Sequence, residues 1–140
     1  MPHYRFSIPI EVRYGDLDPQ GHVNNARHLT YFEQARLQYL IHLGLFDTDQ
    51  SFMNLGVILA EARVTYLAPI YYGQDVRVGT RISRIGNKSL TVEQSIYDGT
   101  SGAALASGTT VLVAYDYRAE KSVPVPAEWR SKIETFEAGN

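Results

Sequence analysis

Hydrophobic and polar positions alternate from near the start of the chain. Between Arg5 and Tyr14, the residues Phe6, Ile8, Ile10, Val12 and Tyr14 stand at every second position, with Arg5, Ser7, Glu11 and Arg13 between them. This is the period of a half-buried strand. Pro9 offers no ladder N–H, so the strand belongs at an edge or carries a bulge. The period then turns helical: Leu29, Phe32, Tyr39, Leu40 and Leu43 share one face, Thr30, Gln34, Gln38 and His42 the other, and Gly44 is a natural stop. A helix of about twenty residues spans roughly 30 Å, enough to lie along a sheet.

After the helix the alternation returns. From Val57 to Ala68, Ile58, Ala60, Ala62, Val64 and Tyr66 face one way and Glu61, Arg63 and Thr65 the other, until Pro69 ends the run. Asp75 to Ile85 alternates through Val76, Val78 and Ile82, Gly86 and Asn87 predict a two-residue hairpin turn, and Lys88 to Tyr97 returns through Leu90, Val92 and Ile96. A loop from Asp98 to Gly102 leads into Ala103 to Tyr115, the longest and most apolar strand, which suits a central place. Pro124 and Pro126 mark a break before a short helix over Ala127 to Glu137. The order of strand, helix and then four strands in meander predicts an α+β architecture, an antiparallel five-strand sheet wrapped around one long helix.

Composition adds bounds. A chain of 140 residues, 44% hydrophobic and 20% charged, predicts one domain over residues 1–140 with a real core. A net charge of −2 without a basic run gives no attraction to nucleic acid or to an anionic membrane. The opening MPHYRFSIPI holds no apolar signal region, and no apolar run approaches the ~20 residues of a membrane span. With no cysteine there is no disulfide, no thiolate zinc ligand and no cysteine nucleophile. The expectation is a cytoplasmic protein with no cofactor. Four scattered histidines lack metal-ligand spacing, and neither a G-x-S-x-G elbow nor a glycine-rich phosphate loop is present.

The chemistry concentrates where the first strand hands over to the helix, in YGDLDPQGHVNNARHLTYFE from Tyr14 to Glu33. Asp16, Asp18, His22, Asn24 and Asn25 lie within ten residues and lead straight into the helix. A helix start offers unpaired N–H groups and the positive end of the helix dipole, which together suit a carbonyl oxygen developing negative charge. A carboxylate beside it can act as base or nucleophile. Taken alone, an aspartate before proline and glycine is an ordinary turn residue, a loop histidine is usually exposed, and asparagines at a helix start cap it. Asp16 fits a turn or hydrogen-bond partner.

The layout and the loop together resemble the hotdog fold of acyl-CoA thioesterases, specifically the 4-hydroxybenzoyl-CoA thioesterase type, from about Arg5 to Tyr115. The resemblance is most specific at Asp16-Leu17-Asp18-Pro19-Gln20-Gly21 and the helix start, and it implies Asp18 as catalytic aspartate with the Asn25 backbone N–H as oxyanion donor. His22-Val23-Asn24-Asn25 is also similar to the HVNN of acyl-acyl carrier protein thioesterases, whose aspartate and histidine would fall on Asp18 and His22. Gln20 departs from those enzymes' catalytic asparagine, and Asn25 stands where hydroxybenzoyl-type members often carry an aromatic or histidine. Substrate class therefore does not carry over.

Glu33 projects onto the helix face expected to be buried, where Arg36 could pair with it at i, i+3. A sister class of hotdog thioesterases resembles this with a helix glutamate as the active carboxylate. Arg84, Lys88 and Ser89 flank the Gly86-Asn87 turn; charged residues there are ordinarily solvated, and the resemblance raises them as contacts for coenzyme A phosphates. The implied activity is hydrolysis of an acyl-CoA thioester by a homodimer or homotetramer, because an open five-strand sheet leaves edges that need pairing, Val57 to Ala68 among them. An enoyl-thioester hydratase would need five residues from Asp to His in D-x-N-P-x-H, whereas Asp16 to His22 is six and Asp18 to His22 four. A non-catalytic acyl-thioester binding protein, for which Asp18 would be dispensable, is the other alternative.

Overall fold

The computed structural model describes residues 4–139, so the first three positions of the N-terminal reading lie outside the described residues. Strand β1 is Phe6–Ile10, helix α1 Arg27–His42, β2 Val57–Tyr66, β3 Val76–Ile85, β4 Ser89–Asp98, β5 Ala104–Asp116, β6 Lys121–Ser122 and helix α2 Ala127–Glu137. Five long antiparallel strands wrap α1, as expected, and the two-residue β6 adds to β5. The β1 strand ends earlier than its alternation suggested, because Tyr14–Asp16 turns into a short 3₁₀ segment. Pro9 does sit on an edge strand.

The sheet runs β1-β3-β4-β5-β2, which corrects the simple meander. Short connections fix β3, β4 and β5 as neighbours, whereas the longer segment from Leu67 to Asp75 frees β2 to cross to the far side of β5. β5 is therefore interior, as its apolar length predicted, and β2 is the outer edge. β2 also departs from strict alternation. Leu59 pairs with Leu112 and Glu61 with Val111, so Ala60 is the extra residue of a bulge. Val57 and Leu59 before the bulge thus share a face with Ala62, Val64 and Tyr66 after it, and Ile58 belongs to the opposite face. A second irregularity between Ile82 and Arg84 precedes the β3–β4 turn, where neither Gly86 nor Asn87 has positive φ. The predicted two-residue hairpin turn is replaced by a connection closed by Gly86 N–H on the Ser89 carbonyl at 2.7 Å.

Helix α1 buries His28, Tyr31, Phe32, Ala35, Arg36, Tyr39 and Leu40. The buried stripe is rotated from the expected one: Leu29 is 41% exposed, and Glu33 lies in solvent while Arg36 takes the inner face. Phe32, fully buried, sets the approach of the helix to the sheet, because a Cβ at Gly108 would come within 2.6 Å of its ring. Burying such a ring stabilises the packing by about 2–3 kcal/mol. At its far end α1 stops at Gly44 (φ +75°), with Leu45 N–H on the Leu40 carbonyl and Gly44 N–H on that of Ile41, the paired bonds of a left-handed helix stop. The core falls into two clusters along α1, one around Phe32, Ile70 and Ile96, the other around Tyr39, Leu90 and Ile133. Between them Gln94, buried on β4, donates to the Phe32 carbonyl (2.9 Å) and Thr80 Oγ1 (3.0 Å) and accepts from Arg36 (3.4 Å). No helix is long and apolar enough to cross a membrane among the described residues.

Candidate active site

The loop between β1 and α1 is tied down by its own backbone. Leu17 bridges to Val23, His22 to Tyr71, and Val23 N–H donates to the Ile70 carbonyl at 2.8 Å, so the loop lies against the segment that follows β2. Asp16 anchors it from beneath. Only 1% exposed, its carboxylate accepts from Arg13 N–H (3.0 Å), from the Arg13 guanidinium (3.3 Å) and from Tyr31 O–H (2.7 Å), with Arg27 at 3.8 Å. Burial alone would raise its pKa, but the bonds from Arg13 and Tyr31 outweigh it and hold the carboxyl below the usual range. Burial and the adjoining Asp16 keep the Tyr31 phenol protonated and donating. The structural role expected of Asp16 is what the fold shows.

Asp18 is placed differently. One carboxylate oxygen accepts from Gln20 N–H at 2.9 Å, His22 Nδ1 lies 3.7 Å from the other, and the side chain borders a cavity of about 530 Å³. His22, Asn25, His28 and Tyr66 share that wall, with Leu67 to Ile70 closing the apolar side. The structure therefore brings Asp18, His22 and Asn25 together. A solvent-bordering carboxylate with spare lone pairs, facing a helix start, can take a proton from water or attack a carbonyl carbon.

The helix start is built by Asn24. Its side chain accepts from Ala26 N–H (2.9 Å) and its carbonyl from Arg27 N–H (2.9 Å), an Asx turn that leads into the helix. The N-cap itself is Ala26, with no side-chain cap bond, so the capping expected of the asparagine pair is replaced by this turn at Asn24. No acceptor among the described residues takes the Asn25 N–H, which stands unpaired at the positive end of α1.

Two members of the site were not found by sequence reasoning. His28, 4% exposed, has Nδ1 3.3 Å from the Asn24 carbonyl and stacks edge-to-face on Tyr66, centroids 4.7 Å apart. Tyr66 O–H in turn donates to the Asn25 carbonyl at 2.8 Å. Burial lowers the His28 pKa against two carbonyl contacts that raise it, so the ring is neutral. The i, i+4 spacing from Asn24 to His28 was a usable signal for the first. Nothing local marks Tyr66, which reaches the site from β2.

The remaining candidates lie elsewhere. Glu33 borders a second cavity of about 370 Å³ between α1 and β2, with Arg36, Leu37 and Leu59, and is not on the Asp18 cavity. Arg84, Lys88 and Ser89 sit at the opposite end of the sheet. The row containing Tyr66 runs through Ala106 and Ile96, and the row at the turn through Leu112 and Leu90, roughly 20 Å away along the strands. Lys88 Nζ reaches Ser122 Oγ at 3.5 Å, and Arg84 is exposed. Within one chain these residues do not meet Asp18. No group of three or more potential metal ligands occurs among the described residues.

Comparison with known proteins bears on this geometry. The sequence pattern of the Thioesterase-like superfamily matches residues 12–133. A thioesterase from Thermus thermophilus, solved in complex with coenzyme A and Zn, is 32% identical, covers 100% of both chains and superimposes with a TM-score of 0.86. The long-chain acyl-CoA thioesterase FadM of Escherichia coli (strain K12) is 26% identical over 125 residues, 89% of this chain and 94% of its own. A chloroplastic acyl-acyl carrier protein thioesterase of Arabidopsis thaliana is 30% identical over 132 residues, 93% of this chain and 69% of its own.

Proposed function

We propose the following chemistry for this chain, which belongs to the Thioesterase-like superfamily and has its hotdog fold: it hydrolyses acyl-CoA thioesters, and Asp18 supplies the reacting carboxylate. The observation that carries the assignment is that Asp18, with carboxylate lone pairs to spare, and Asn25, whose N–H has no acceptor among the described residues, line one cavity. Asp18 either takes a proton from a water that attacks the thioester carbonyl, or attacks it itself to form an anhydride that water then opens. In both, the C–S bond breaks, coenzyme A leaves as its thiol with a proton from the water, and the carboxylic acid is released. Asn25 N–H, backed by the dipole of α1, takes the oxygen as it gains charge. His22 lines the same cavity with Nδ1 3.7 Å from the Asp18 carboxylate, too long for a hydrogen bond and short enough for a charge contact.

The working unit is a homo-oligomer, at least a dimer, in the cytoplasm. β2 supports this: among the described residues its outer edge has no partner strand, and Ile58, Leu59, Tyr66 and Leu67 are exposed along and beyond it. Antiparallel pairing of β2 with its copy about a two-fold sets the Tyr66 end of one chain beside the Val57 end of the other. That end carries the Gly86-Asn87 turn. The partner copy's Arg84, Lys88 and Ser89 are thereby brought toward this chain's Asp18, which is how residues at opposite ends of one sheet could serve one substrate. Lys88→Ala should raise KM for CoA esters several-fold with little change in kcat, because phosphate contacts remote from the carbonyl act alike in ground and transition states. An acyl-pantetheine, lacking the nucleotide, should not feel the substitution.

An acyl carrier protein could present the same pantetheine thioester, and the HVNN stretch and the Arabidopsis relative favour keeping that as a second substrate. The test is a panel of acyl-CoA and acyl-carrier-protein thioesters with thiol detection, run across a dilution series alongside light scattering. Thiol release that falls as the assembly dissociates is the expected result. Binding without release would make this a thioester-binding protein, and full activity in a monomer would remove the shared site.

A further inference from the structure

The Asn25 N–H belongs to the peptide unit whose carbonyl is that of Asn24. That carbonyl is held by Arg27 N–H at 2.9 Å, and His28 Nδ1 lies 3.3 Å from it. A carbonyl oxygen only accepts, so the contact is a hydrogen bond when His28 carries its proton on Nδ1, the tautomer that leaves Nε2 bare in the neutral ring. The next peptide is fixed as well, with Tyr66 O–H on the Asn25 carbonyl at 2.8 Å and Asn24 Oδ1 on Ala26 N–H at 2.9 Å. The Asn25 N–H thus belongs to a clamped peptide unit and is followed by another, while remaining without an acceptor among the described residues.

Resting on the assignment of Asn25 N–H as oxyanion donor, we propose that His28 is a positioning residue for the reaction: its Nδ1–H aims and polarises the Asn24–Asn25 peptide that stabilises the oxyanion. Donation to an amide oxygen draws electron density from nitrogen, which makes the N–H at the other end of the same unit a stronger donor. The effect is largest when charge has developed on the substrate oxygen, so it belongs to the transition state more than to binding. His28 itself touches no reacting atom. Its edge-to-face contact with Tyr66 ties the clamp on α1 to strand β2, so the donor's aim depends on both elements.

The experiment is a pair of measurements on the intact, assembled protein. ¹⁵N spectroscopy of the labelled histidines should find His28 as the Nδ1–H tautomer. Kinetics of His28→Phe, which keeps the ring against Tyr66 but loses the donor, should show kcat down about tenfold, a part of the 10²–10³ that a whole oxyanion donor contributes, with KM within about twofold. His28→Asn, whose amide nitrogen can stand near the Nδ1 position, should recover most of the loss. An Nε2–H tautomer overturns the proposal, as does unchanged kcat in a folded His28→Phe or a loss that His28→Asn does not recover. Asp18→Asn in the same assay separates the two levels. If it abolishes turnover while His28→Phe does not lower it, the catalytic assignment stands and the role of His28 falls; if it leaves turnover intact while His28→Phe lowers kcat, the Asp18 assignment falls and the role of His28 stands.

Discussion

Asp16 and Asp18 are two residues apart in one loop, and they occupy opposite physical regimes. Asp16 is sealed under the helix, its oxygens used by Arg13 and Tyr31 and its charge faced by Arg27. Asp18 has one committed bond, from Gln20 N–H, and borders open volume. A carboxylate with both oxygens engaged contributes stability, and under the proposed function the one with lone pairs to spare supplies the chemistry. The first is also what makes the second possible, because Asp16 fixes both ends of the loop: its carboxylate through Arg13 and Tyr31, and its backbone carbonyl through Asn24 N–H at 2.9 Å.

Breaking the buried side should have the largest effect on the fold. Asp16→Ala strands the Tyr31 hydroxyl and the Arg13 N–H groups, and a urea melt should show a loss of about 3 kcal/mol, within the range for orphaned buried partners of a charged group. A loss below about 1 kcal/mol would mean that the loop does not depend on this anchor. The next effect is acid sensitivity. Because the folded Asp16 carboxyl is held below its ordinary value, the stability it adds is fully present above the unfolded pKa near 4 and is lost as pH falls from there through the folded pKa. Melts at descending pH should show wild type losing stability more steeply below about pH 4 than Asp16→Asn, and parallel curves would contradict the depressed pKa. The smallest effect is on the open side. Asp18→Asn keeps an oxygen for Gln20 N–H and should change stability by no more than about 0.5 kcal/mol.

The same contrast explains what could be read from the chain. Asp18, His22 and Asn25 lie within eight positions, so a single loop had to bring them close, while the resemblance, not local turn and capping chemistry, singled them out. The helix stop at Gly44, the interior place of β5 and the span of α2 followed from periodicity and breakers. The features that escaped are those set by distant contacts. A bulge at Ala60 has no local signature, yet it reverses the facing of Ile58 and Leu59 relative to Val64 and Tyr66. The buried stripe of α1 runs through Tyr31, Ala35 and Arg36, not Leu29 and Glu33, because Asp16 and Gln94 supply partners for Tyr31 and Arg36 that the helix sequence does not show. Tyr66 meets Asn25 only because β2 crosses to the far edge of the sheet, which alternation along one strand cannot reveal.

The central claim, that the Asp18 carboxylate and no other carries the reaction, is tested most directly by single-turnover cleavage of a CoA ester that wild type hydrolyses, in Asp18→Asn with Glu33→Gln beside it. Asp18→Asn should bind the ester nearly as wild type does but cleave it at least ~10²-fold more slowly, the low end for loss of a general base. Glu33→Gln, altered in the separate groove between α1 and β2, should keep most of the rate. A folded Asp18→Asn that cleaves at the wild-type rate, or a larger loss in Glu33→Gln, would contradict the account.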